Sequence, residues 1–288
     1  MISDDMLPQG LHPASLSGLA AFWPLSEAEG NLRRAEGGGP ALREAAGPVA
    51  TVDDGVFGQR ILSIRPGQWL EVPRDELGAL DIYGPDAAVT VVVWFRRDDP
   101  EYWQALAGVW DESRDLRQYC LFAHARLRTL SDSLERVACA DQLHAHVSDV
   151  GGPTPDKAFC YTYATGATPA PVGEWCCAAL SYDGREVTLW RDGRIDALAG
   201  SNPFPAPGGL FDGGSDGAVF AIGANSVRGA MGNFFGGLIA GVAVYRRVLS
   251  AEEHAGLAVH LDRLRELHPG EATFAQKSGQ DLVPDIGG

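Results

Sequence analysis

Residues 172–195 read VGEWCCAALSYDGREVTLWRDGRI. Two Asp-Gly pairs, Asp183-Gly184 and Asp192-Gly193, cut this stretch into short apolar runs. Asp192-Gly193 is the strongest hairpin signal, because both central residues of a two-residue turn want positive φ. The stretch therefore predicts antiparallel strands over 175–182, 186–191 and 194–197. Cys176 and Cys177 are adjacent in the first of these, so they point to opposite faces of the sheet.

The same reading extends in both directions. Upstream, 88–96 carries the β-branched run VTVVVWF, dense enough for a central strand buried on both faces. Further strands are expected at 19–24, 60–64, 69–72, 105–110, 118–124, 142–148 and 159–164, and downstream at 218–222 and 237–245. A polar excursion is expected over 125–141. One helix closes the set. Ser250 with Glu253 forms a capping-box pattern, Leu257, Leu261 and Leu264 fall on one face, and Pro269-Gly270 stops it. The expected layout is an N-terminal arm over 1–17, a β domain over 18–250, the helix over 251–268 and a tail over 269–288.

Composition agrees with many turns and short strands: 36 Gly and 18 Pro in 288 residues. The formal charge of −15 repels phosphate backbones and anionic leaflets, and no basic stripe offsets it, so nucleic acid and membrane are not expected partners. The acidic start, MISDDMLP, lacks the apolar region of a secretory signal. The cytoplasm is the default expectation, with non-classical export as the alternative. Five cysteines without zinc-type spacing read as reduced, mostly buried thiols.

Several segments, taken in order, resemble the laminin-G-like, concanavalin A-like jelly-roll domains. GLAAFWPLSEAEGN at 18–31 resembles their first strand and loop, and DGVFGQRILS at 54–63 their G-x-F-G-x-A-L-x-F stretch. Residues 172–184 are similar to L-G-x-W-H-H-V-A-x-T-Y-D-G, and 220–223 with 235–253 resemble the closing F-x-G-x-I-D-D-V-R-I-Y-N-R-A-L-S-x-E-E. The resemblance implies an all-β sandwich of two antiparallel sheets, with a concave sheet and rim loops open to ligands. It also implies a choice among lectins, carbohydrate-binding modules, adhesion domains and glycosidases. Many members hold calcium on acidic positions that here read AEGGGP (35–40), RPGQW (65–69) and Ala240-Gly241. Calcium needs several carboxylate oxygens, so no metal or other cofactor is expected at that place.

The least family-like stretch, 110–168, is rich in polar and aromatic groups. Its AHVSDVGGPTP (145–155) is similar to stretches in bacterial laminin-G-like sequences. His144 and His146 are two apart in a strand and share one face. If 118–124 pairs with 142–148, His124 comes close as well, and three imidazoles suit a transition metal, a general base, or only a hydrogen-bonded groove. Tyr161 and Tyr163 also share a face by spacing, where rings stack on sugars or line the core. Asn225 falls in a rim loop.

The leading expectation is a lectin-like protein holding a glycan or other small polar ligand. Its groove would use Trp110, Asp111, Arg114, His144, His146, Asp149, Tyr161, Tyr163 and Asn225. One alternative is a glycoside hydrolase or lyase with His144 or His146 as base and Asp111 or Asp149 as acid. Another is a structural module that self-associates as a homo-oligomer through a sheet face.

Overall fold

The computed structural model describes residues 10–30 and 32–269. Residues 1–9 of the expected arm, Asn31, and the tail from residue 270 lie outside the described residues. Eighteen strands, numbered in chain order, form two sheets of nine. The first runs β13 (Arg194–Ile195), β12 (Glu186–Arg191), β11 (Trp175–Tyr182), β6 (Val89–Arg97), β18 (Gly237–Tyr245), β4 (Arg60–Ile64), β3 (Ala50–Asp53). To it β1 (Leu19–Trp23) adds on β18 and β14 (Phe204–Pro205) on β12. The second runs β10 (Tyr163–Thr165), β9 (Arg136–Val147), β8 (Leu116–Thr129), β7 (Gln104–Asp111), β15 (Phe220–Ile222), β5 (Leu70–Val72), β2 (Arg43–Glu44). A ribbon of β16 (Asn225–Val227) and β17 (Ala230–Gly232) joins the end of β7. Pairing is antiparallel throughout, except for one parallel bridge between Ser226 and Asp111.

The β-branched run is the central strand it reads as, with Val89 through Phe95 all buried. Its odd residues Val91, Val93 and Phe95 join Val109, Leu121, Leu143 and Val147 in the core between the sheets. Its even residues Val92 and Trp94 join a second cluster on the outer face of the first sheet, with Trp175, Leu257, Leu261 and Leu264. Cys176 belongs to the inner cluster and Cys177 to the outer one, as their adjacency requires. All five cysteines are free thiols, four of them buried.

Asp192 and Gly193 take φ of 49° and 80°, the positive pair that the hairpin reading requires. Gly193 is also a close approach: a Cβ there would lie 2.8 Å from Ala255 Cα. The helix covers the outer face of the first sheet and comes in two pieces, α1 (Ala251–Ala258) and α2 (His260–Leu267), joined at Val259. Ser250 and Glu253 form the reciprocal capping box. Burying each leucine of the stripe stabilises by about 1.5–3 kcal/mol, enough to hold pieces too short to stand alone. The Trp94 and Trp175 indoles donate to the Leu257 and His268 carbonyls at 3.1 and 3.0 Å. The first described residues dock on the same helix. The Leu11 N–H donates to Gly256 O at 3.0 Å, His260 Nε2 donates to Leu11 O at 3.0 Å, and the Tyr245 hydroxyl donates to Pro13 O at 3.0 Å.

Two expected elements differ. The excursion over 125–141 is an extension of the β8–β9 hairpin, bulged near His124 and Asp141, both at φ of 58°. The expected strand 159–164 shrinks to Tyr163–Thr165, because the chain turns tightly at Thr162, where the Tyr163 N–H donates to Tyr161 O at 3.2 Å. The long loop that follows β1 is pinned by Arg33, 0 % exposed, which reaches Glu27 O, the Glu44 carboxylate and, at 3.0 Å, Val49 O.

Candidate functional site

The outer face of the second sheet carries the polar-aromatic stretch. Register sets it: Cys120 opposes His146, Phe122 opposes His144, and on the far side Tyr163 opposes His146. Residues opposed in register share a face, so these side chains gather there with Trp110, while Leu121, Leu143 and Ala145 point into the core.

His146 is the centre of the cluster. Its ring stacks on Tyr163 at 4.2 Å and meets Phe122, Trp110 and Trp103 edge-on at 5.0, 5.5 and 6.0 Å. It is 6 % exposed, and neither ring nitrogen has a hydrogen-bond partner among the described residues. His144 lies beside it, with Nδ1 3.4 Å from Thr165 Oγ1 and Nε2 3.8 Å from Cys139 Sγ. Burial lowers the pKa of His144 to about 3 and pushes His146 well below its ordinary range, so both rings are neutral at pH 7. Trp103, at φ of 58°, covers the pair edge-on.

One end of the face is polar. Glu112 Oε1 accepts from the Trp110 indole at 3.2 Å and from Asn225 Nδ2 at 3.3 Å, and Asn233 Nδ2 donates to Asn225 Oδ1 at 2.8 Å. The structure thus brings together Trp110, His144, His146, Tyr163 and Asn225 of the expected set. Glu112, a candidate carboxylate in the sequence, and Asn233, in the same rim loop as Asn225, join them, whereas sequence reasoning missed Trp103 and Phe122. Phe122 was open to discovery by strand parity once β8 was paired with β9, whereas Trp103 belongs to a turn with no parity to follow.

The rest of the expected set sits elsewhere. Asp111 makes its contacts inside a turn, capping the Ser113 N–H at 2.8 Å and pairing with Arg114 Nε at 2.7 Å. Arg114 also donates to Asp216 O at 3.0 Å. Asp149 is exposed and lines a separate cleft of about 230 Å³ with Ser131, Thr154, Thr162 and Phe204. Tyr161 precedes the strand that Tyr163 opens, so the shared face does not follow from their spacing. His124 turns away at its bulge, pairs with Asp141 at 2.5 Å and stacks on Tyr102 at 4.3 Å. Among the described residues no group of three or more His, Cys, Asp or Glu side chains is disposed to hold a metal. None of the helices among them is long and apolar enough to cross a membrane.

Two twisted nine-stranded sheets packed face to face, with a polar-aromatic outer face, define a jelly-roll sandwich. The chain belongs to the concanavalin A-like lectin/glucanases superfamily: residues 76–253, more than half of it, match the laminin G model of that description. Domain 4 of an extracellular arabinanase from Geobacillus stearothermophilus, in complex with arabinotriose, superposes with TM-score 0.52 at 15% identity, over 83% of this chain and 98% of that one. Trypanosoma rangeli sialidase in complex with sialic acid superposes with TM-score 0.53 at 16% identity, over 89% of this chain. This chain spans only 36% of that sialidase. At these identities the likeness is one of fold. No curated protein matches the chain in sequence.

Proposed function

We propose that the protein binds a carbohydrate on the outer face of the second sheet. The observation that carries this reading is His146, a neutral imidazole with two unpartnered nitrogens inside an aromatic box. An unsatisfied buried polar group costs about 1–3 kcal/mol, a cost that a ligand hydroxyl on either nitrogen would offset. The half-buried Trp103 is the aromatic wall open to a sugar's apolar face, and Glu112 and Asn233, also half-buried, offer a carboxylate and an amide for its hydroxyls, the mixture that sugars require. The expected acids Asp111 and Asp149 make their contacts away from the two histidines, which favours binding over hydrolysis.

The test is calorimetry of the whole protein against neutral and acidic oligosaccharides, with arabinotriose among the first probes. Binding that weakens at least about tenfold in Asn233→Ala is expected, the loss of one polar contact. Absence of any binder at millimolar concentration overturns the reading.

A further inference from the structure

Beyond Tyr163, at the hairpin end of the site, two cations gather on one ring. Arg136 Cζ lies 5.3 Å from the Tyr161 ring and 5.3 Å from the Phe159 ring, and Lys157 Nζ lies 5.6 Å from the same tyrosine. Neither cation forms an ion pair with any described residue, although the chain carries a formal charge of −15 and its neighbours in sequence include Glu135 and Asp156. Lys157 is the sole lysine among the described residues, where every other basic group is an arginine or histidine. The Nε of Arg136 is buried without a hydrogen-bond partner. Both cations lie over aromatic rings rather than carboxylates, so their charge is left for an oxyanion to match. Arg136 opens β9, the strand that carries His144 and His146, and its charge acts on both rings and on the Tyr163 phenol.

We infer that Arg136 and Lys157, set on Tyr161, form a subsite for the anionic group of an acidic sugar. The ligand class is thereby narrowed to a glycan bearing a carboxylate or a sulfate. The inference rests on the carbohydrate-binding reading of the adjoining face. In it the sugar ring lies on the aromatic wall, and its anion points towards the hairpin.

The experiment compares trigalacturonate, its methyl ester, a sulfated galactose oligosaccharide and a neutral galactose oligosaccharide by calorimetry at low salt. The acid is expected to bind at least about tenfold more tightly than its ester, as one charge-assisted pair allows. A preference for the sulfated sugar over the neutral one supports the same subsite and identifies its anion as sulfate. Lys157→Gln, on a loop, and Arg136→Gln should each reduce that preference, and added salt should reduce it further. Arg136→Lys, which keeps charge without the fork, should recover part of it. Equal binding of charged and neutral sugars overturns the inference and leaves the carbohydrate-binding reading standing. So does a charge preference that survives Lys157→Gln and Arg136→Gln. If no sugar of any kind binds, both fall together.

Discussion

His146 combines a cost in stability with a use. A phenylalanine in its place keeps the ring that stacks on Tyr163 and removes two nitrogens that have no partner. Replacing an unsatisfied buried polar group by an apolar one of similar shape is neutral or stabilising. His146→Phe is therefore expected to melt at the same temperature as the wild type or higher, and to lose carbohydrate binding. A fall of several degrees in melting temperature would show that the nitrogens are satisfied in solution. At this scale the sequence was informative where a strand stayed regular: spacing alone put His144 and His146 on one face. It misled where backbone broke parity. His124 sits at φ of 58°, so its side chain leaves the face that its distance from His144 implies, and Tyr161 is cut off from Tyr163 by the turn at Thr162.

Among the elements, the first-loop excursion is the most vulnerable to a single change. Arg33 and Glu44, 0% and 7% exposed, are paired in the interior. Removing one partner strands the other charge, which costs about 3–5 kcal/mol, whereas replacing both with apolar residues often restores stability. Arg33→Met should lower the urea midpoint sharply, and adding Glu44→Leu should recover much of it. Two equally destabilised variants would contradict that account. The Asp-Gly turns, the central β-branched strand and the capping box were legible because each depends on local chemistry. The extended hairpin over 125–141 was not, because its residues are largely half-buried or exposed on both faces and carry the polar pattern of a loop. The break at Val259 has no local mark, since helix pieces this short depend on the sheet beneath them.

For the whole molecule, the buried imidazoles set the response to acid. The pKa of His144 falls to about 3 and that of His254 to about 4, both from burial, against an ordinary value of 6.5. The folded state thus binds fewer protons than the unfolded chain between those values. Stability is complete above the ordinary value and is lost as pH falls towards the folded ones, by up to about 1.4 kcal/mol per pH unit for each group. Urea midpoints should fall steadily from pH 6.5 to pH 5, before most carboxylates titrate; a flat profile would mean that the rings are hydrated. Melting in millimolar calcium and in chelator should coincide, because the positions where the laminin-G-like resemblance implies calcium-holding acids read AEGGGP, RPGQW and Ala240-Gly241. An upward shift with calcium would reveal oxygens that rebuild the site.

Docking of the first described residues onto the C-terminal helix gives the molecule a front and a back. Gly10 packs against His260, and the His268 carbonyl accepts from Trp175 on that same layer. The histidine face lies on the other side, two sheets and about 10 Å of core away. A bead attached through the exposed helix residues Glu252 or Asp262 therefore hangs from the back, and leaves the front turned outward. Immobilised at either position, the protein should capture the same oligosaccharides with the same affinity. A loss of capture at both positions would mean that the ligand sits on the helix side.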